Sequence, residues 1–168
     1  MVLQGPPTHR LPVSIITPFF QIVGQIETIG TPFTFINDAD RRGFSLYDVS
    51  ITPLAAGGPL KSFSRPYVII RRSEIVFLYF ISAETRSSIH TLRRSELLVA
   101  YTPLAVCRGY FHMADEANVS DFLEDIASVL LPITDVQIFP LNELSASFPT
   151  NPDLLLMGRS YLQFYHPA

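Results

Sequence analysis

The chain repeats itself, and that constrains its fold more than any other feature. Residues 15–26 read IITPFFQIVGQI, and 85 positions later residues 100–111 read AYTPLAVCRGYF. Thr17-Pro18 matches Thr102-Pro103 and Gly24 matches Gly109. At an offset of 87, Phe35-Ile36-Asn37-Asp38 answers Phe122-Leu123-Glu124-Asp125, and LYDVSITPL (46–54) answers ITDVQIFPL (133–141). Arg72-Ser73 and Phe77 answer Arg159-Ser160 and Phe164 at the same offset. Blocks kept in order with an offset drifting by only two residues mark a tandem duplication, 1–82 and 83–168.

Each copy reads as all-β, with at most one short helix. Residues 13–16 and 19–26 are strand-like around a Thr-Pro that marks an edge, a bend or a turn, because proline has no N–H for a ladder. Gly24 and Gly109 lie inside strand patterns, where glycine marks a bulge or sharp bend. Residues 44–54 form a strand that stops at Pro53, and 55–64 (AAGGPLKSFS) form an exposed loop. The copy closes on 65–81, RPYVIIRRSEIVFLYFI, read as two apolar strands joined in a hairpin by the charged turn Arg71-Arg72-Ser73-Glu74. The second copy follows the same plan, with its loop at 142–152. It adds NVSDFLEDIASVLL (118–131), whose spacing of Phe122, Leu123, Ile126, Val129 and Leu130 predicts a helix capped by Asn118 or Ser120. Residues 33–43 of the first copy are shorter, a turn or one short helix, and 83–96 are a polar linker with room for a helical turn.

Apolar residues make up 48% of the 168 and charged residues 16%, enough for a core and too apolar for disorder. The longest apolar run, 75–81, is far short of the roughly 20 residues a spanning helix needs. The N-terminal MVLQGPPTHRLPV lacks the marks of a secretory signal. The single cysteine, Cys107, allows no internal disulfide and no Cys-based zinc cluster. These features predict a cytoplasmic protein without a membrane partner. Copies of about 80 residues bury a limited share of their surface, which predicts packing of the copies on each other or on other subunits.

The order strand–Gly–strand, Asn37-Asp38, Leu46-x-Asp48-Val49, a loop and then VIIRRSEIVFL resembles an Sm-like domain. The resemblance implies two tandem small barrels of the Sm-like or SH3-like kind, joined edge to edge into rings of about six or seven domains that bind RNA. The repeat, with Thr-Pro before its glycine and Phe-Leu/Ile-x-Asp after it, also resembles an uncharacterised bacterial group, which implies no activity. Asn37 and Arg71 match the family positions that form a base pocket, with Arg72 replacing the usual glycine. The second copy has Glu124 in place of the asparagine and Met157-Gly158 in place of Arg-Gly. An RNA site, if present, therefore belongs to the first copy, at Asn37, Arg71 and Arg72.

Charge agrees with that placement. Residues 1–82 hold seven basic and five acidic side chains, and 83–168 hold five basic and ten acidic. The net charge of −3 gives no general attraction to nucleic acid, so the alternative for Arg71-Arg72 is a solvated turn. Catalytic signatures are missing: there is no Gly-x-Ser-x-Gly, phosphate loop or His-Glu-x-x-His. His112 near Asp115 and Glu116 is the nearest approach to a metal trio. Cys107 reads as a buried thiol, and the recurring Asp48 and Asp135 as turn caps or backbone binders. The expectation is a non-enzymatic scaffold without metal or cofactor, a homo-oligomer in which three copies form a six-domain ring. An RNA-binding ring is the alternative.

Overall fold

The Thr-Pro pair shared by both copies closes a hairpin. In the computed structural model, which describes residues 5–168 apart from the side chain of Asp125, β1 (Thr8–Ile16) turns back into β2 (Phe20–Ile29). The first four residues of the N-terminal stretch in which no signal is read lie outside the described residues. The Thr17 hydroxyl donates to the Phe20 carbonyl and accepts from the Phe20 amide, both at 3.1 Å. Thr102 repeats this with Ala105, at 2.9 and 3.1 Å, between β6 (Arg94–Tyr101) and β7 (Ala105–Met113). One hydroxyl thus satisfies both backbone groups of the turn, and the adjacent proline has no N–H to leave unpaired.

The glycines mark bulges, as their position inside strand patterns predicts. β3 (Gly43–Pro53) pairs with β2, and the register slips between Val23 and Gln25. β8 (Leu130–Pro140) pairs with β7 and slips between Arg108 and Tyr110. A Cβ on Gly24 would lie 2.9 Å from the Tyr47 carbonyl oxygen, and one on Gly109 would lie 2.7 Å from Ile133 Cγ2. On the facing strands, Asp48 and Asp135 hold left-handed backbones, with φ of 51° and 50°. Aspartate tolerates that region better than most residues, so the recurring Asp is part of the bend itself.

β4 (Phe63–Arg71) pairs with β3, whereas β5 (Phe77–Phe80) pairs with β1 and with β9 (Leu154–Gly158) of the second copy. The stretch 65–81 is therefore not a hairpin: β4 and β5 lie on opposite flanks of their repeat. Arg72–Glu74 forms a 3-10 turn between them, and Arg159–Tyr161 forms its counterpart between β9 and β10 (Phe164–Pro167). Apolar patterning identifies strands but not their partners, which is why the hairpin reading fails. The six Cα steps from Arg71 to Phe77, including a 3-10 turn, reach roughly 16 Å, and five flat strands span roughly 19 Å. Each set of five must curve for the turn to connect its flanks.

All ten strands join in one open antiparallel sheet, ordered β10-β6-β7-β8-β9-β5-β1-β2-β3-β4. Both copies use the same internal order and meet at β9–β5. The expected helix over 118–131 is shorter: a 3-10 turn at Val119–Asp121 leads into α3 (Phe122–Asp125), and Leu130 already starts β8. In the first copy the short segment is the five-residue helix α1 (Pro32–Ile36). The linker holds α2 (Ala83–Ser87), whose first turn is capped by the Ser82 hydroxyl accepting from the Thr85 amide.

Two apolar cores lie along the sheet, and each borrows from the other copy. The first collects Ile15, Ile26, Phe44 and Leu46 with Leu154 and Leu156 of β9. The second collects Phe111, Phe122 and Ile133 with Ile16, Leu54 and Phe77 of the first copy. The loop after β8 crosses back as well: Gln21 donates to the Ser147 carbonyl at 2.6 Å, and the Ser145 amide donates to the Leu54 carbonyl at 3.0 Å. Among the described residues, no helix is long and apolar enough to cross a membrane.

Candidate functional site

Asn37 follows α1 as its C-terminal cap, at the seam between the copies. Its Oδ1 accepts from the Val129 and Leu130 amides, both at 2.9 Å. Its Nδ2 donates to the Leu130 carbonyl at 3.3 Å and the Phe33 carbonyl at 3.4 Å. An asparagine amide has two N–H donors and two carbonyl lone pairs, and these four bonds use all of them. The side chain imitates a peptide group and splices the first copy to the start of β8. That contact also ends the predicted helix early, because Val129 and Leu130 hydrogen-bond outward instead.

Arg72 lies beside Asn37 but acts on different atoms. Its Nη1 donates to the carbonyls of Asp38 at 2.6 Å and Ile36 at 3.3 Å, on either side of Asn37. Burial lowers the guanidinium pKa, Asp38 opposes the shift, and Arg159 and Arg41 add to it. Arg159, the counterpart in the second copy, donates to the Ile126 carbonyl at 2.6 Å. The recurring Arg-Ser thus clamps the segment that follows each helix. Arg71 is separate from both: it ends β4 opposite Gly43 and is exposed. The fold brings Asn37 and Arg72 together and leaves Arg71 on the sheet's outer edge.

Other candidates are engaged or inert. His112 Nδ1 donates to the Leu92 carbonyl and Nε2 faces the Thr134 hydroxyl, each at 2.8 Å. Both ring nitrogens are thereby used, and no group of three metal-ligating side chains occurs among the described residues. Cys107 is fully buried, and burial pushes its thiol pKa up to about 12.

The two sheet edges carry the more informative geometry. β4 and β10 each have one side unpaired. The offset of 87 maps β9 onto β4 and β5 onto β10, so the seam inside the chain shows what an equivalent contact would cover. Leu156 is 1% exposed, and its counterpart Ile69 is 66%. Phe77 is 3% exposed against 57% for Phe164, and Leu54 is 4% against 55% for Leu141. Tyr67, the counterpart of buried Leu154, is also exposed. Apolar identity persists at positions that the chain itself does not bury. Sequence reasoning matched Phe77 with Phe164 and Leu54 with Leu141 at the offset of 87 but missed Ile69 and Tyr67, which the same offset sets beside Leu156 and Leu154.

No protein-family model matches this chain, and no curated protein and no solved structure matches it either.

Proposed function

We propose that this protein is a non-catalytic scaffold of two Sm-like units that joins copies of itself through β4 and β10, acting in the cytoplasm. The observation that carries the reading is the set of exposed apolar residues whose repeat counterparts are buried at the β9–β5 seam. Placing β10 of one copy along β4 of the next sets Phe164 opposite Ile70 and Tyr165 opposite Ile69, as Phe77 faces Met157 and Leu78 faces Leu156 within the chain. Unpaired strand edges next to apolar side chains favour such pairing. One corner must differ. A Cβ on Gly158 would stand 2.0 Å from the Ile75 carbonyl oxygen, and the counterpart of Gly158 on β4 is Arg71. The junction between copies therefore opens at that end and is weaker than the one inside.

A contact between unlike edges is head-to-tail and closes into a ring when the rotation per step permits. Three copies set six repeats in such a ring, the arrangement the Sm-like resemblance implies. The alternative, an RNA-binding ring, has less support, because Asn37 and Arg72 spend their polar atoms on backbone groups of the chain and only Arg71 presents a free surface position. Sedimentation at tens of micromolar protein is expected to give a mass about three times the 18.8 kDa of one chain. The double variant Ile69→Lys, Phe164→Glu is expected to sediment as a folded monomer. A wild-type protein that stays monomeric overturns the reading. Tight, salt-dependent binding of labelled oligouridine that is lost in Arg71→Ala would favour the alternative.

A further inference from the structure

A cleft lies in the second copy, with Phe33 of the first copy completing its lining. It has a volume of about 290 Å³ and lies between the linker after α2, the end of β7 and the segment between α3 and β8. Its floor is apolar and buried, formed by Met113, Phe122 and Pro132, and His90, Thr91 and Ser128 stand at its rim. Among the described residues, no Lys, Arg, Asp or Glu side chain lines it.

Each wall is held by a side chain that reaches backbone. His112 grips the linker through the Leu92 carbonyl at 2.8 Å. Arg94 donates to the carbonyls of Ala114 at 3.2 Å and Asp115 at 3.1 Å, and also to that of Ala117. Arg159 and Asn37 hold the third wall through Ile126 and through Val129 and Leu130. The first two clamps are not requirements of the fold. At the offset of 85, His112 corresponds to Glu27 and Arg94 to His9, and Glu27 pairs with Arg10 at 3.8 Å instead. The duplication kept the fold in both copies, whereas these two clamps occur in the second alone.

We infer that this cleft binds a small neutral molecule with a one- or two-ring aromatic, or similarly sized aliphatic, body and a single polar group. Small-molecule sites are largely preformed and mostly apolar with a few polar groups at fixed positions, and this cleft falls near the low end of their range of roughly 300–1,000 Å³. An apolar cavity of about 150 Å³ already accepts benzene, so a body of one or two rings fits on the floor. The rim hydroxyls and the His90 imidazole offer both donors and acceptors to the polar group. Among the described residues, no Lys, Arg, Asp or Glu gives a formal charge a fixed partner, and burying an unpaired charge is costly. Walls held before binding reduce the ordering cost of the complex. The inference is independent of self-assembly.

Titration of the full chain with indole, followed by ¹H–¹⁵N NMR, tests it. Saturable shifts are expected at the amides of Leu92, Ala114, Ala117 and Ile126. Indole-3-carboxylate is expected to bind at least about tenfold more weakly, a difference near 1.4 kcal/mol. Ala127→Phe and Ala114→Phe, each at an exposed position on the rim, are expected to fill the cleft and abolish the shifts while the rest of the spectrum stays folded. The inference is overturned if the shifts do not saturate, scatter over the surface, persist in a folded variant, or strengthen with the carboxylate.

Discussion

The β9–β5 seam and the β4 and β10 edges are the same piece of sequence design in two settings. At the seam, Leu156 and Phe77 are buried, Gly158 lets the backbones approach, and Asn37 fastens the copies with three hydrogen bonds. At the edges, Ile69 and Phe164 are apolar and exposed, and arginine replaces the glycine. The difference teaches how much the seam holds beyond apolar character. The inner seam adds close backbone approach and a saturated polar splice, and these turn adjacency into one folded unit. The outer edges retain only the apolar part, so the self-assembly proposed above is expected to be reversible.

The comparison can be broken most strongly at its apolar centre. Leu156→Ala is expected to destabilise the chain by about 2–5 kcal/mol, the usual range for emptying a buried leucine site. Ile69→Ala, at the matching outer position, is expected to stay within about 0.5 kcal/mol in the dissociated chain. Urea denaturation at low protein concentration measures both, and equal losses would remove the distinction between seam and edge. The polar splice ranks next. Asn37→Ala leaves the Val129 and Leu130 amides without their partner, at about 1–3 kcal/mol for each group that water does not reach. Arg71→Ala is expected to leave the midpoint nearly unchanged.

The last effect is confined to alkaline pH and concerns the cores on either side of the seam. Cys107 occupies the place that Ile22 holds in the first copy. Its thiol pKa is raised from 9.0 to about 12 by burial. The unfolded chain releases that proton at lower pH than the folded one, so the stabilisation is complete below pH 9 and is lost as pH rises toward 12. The expected slope is at most about 1.4 kcal/mol per pH unit. Cys107→Ala should flatten the alkaline part of a denaturation midpoint measured against pH, once the tyrosines whose pKa values burial also raises, Tyr161 and Tyr165, are accounted for by comparing the two proteins. An unchanged slope would show that the thiol is not held neutral.

Much of the architecture is legible in the sequence. The repeat, the all-β class, the strand positions and the bends at Gly24 and Gly109 follow from patterns that are local in the chain. The roles of Asn37 and Arg72 were not legible, because their partners are backbone groups, and a backbone amide carries no residue identity to search for. Asn37 reads as a binding residue until Val129 and Leu130, more than 90 positions away, are seen to face it.

The sequence by itself determined that this protein is two copies of one β unit, because period-two patterning, bulge glycines and the spacing of turns are short-range properties that survive duplication. Only the tertiary structure decided that 65–81 is not a hairpin, that the copies share one sheet, and which edges are left open. Strand pairing is chosen by competition among all edges at once. β5 found better partners in β1 and β9 than in its neighbour β4, and no local signal records that choice.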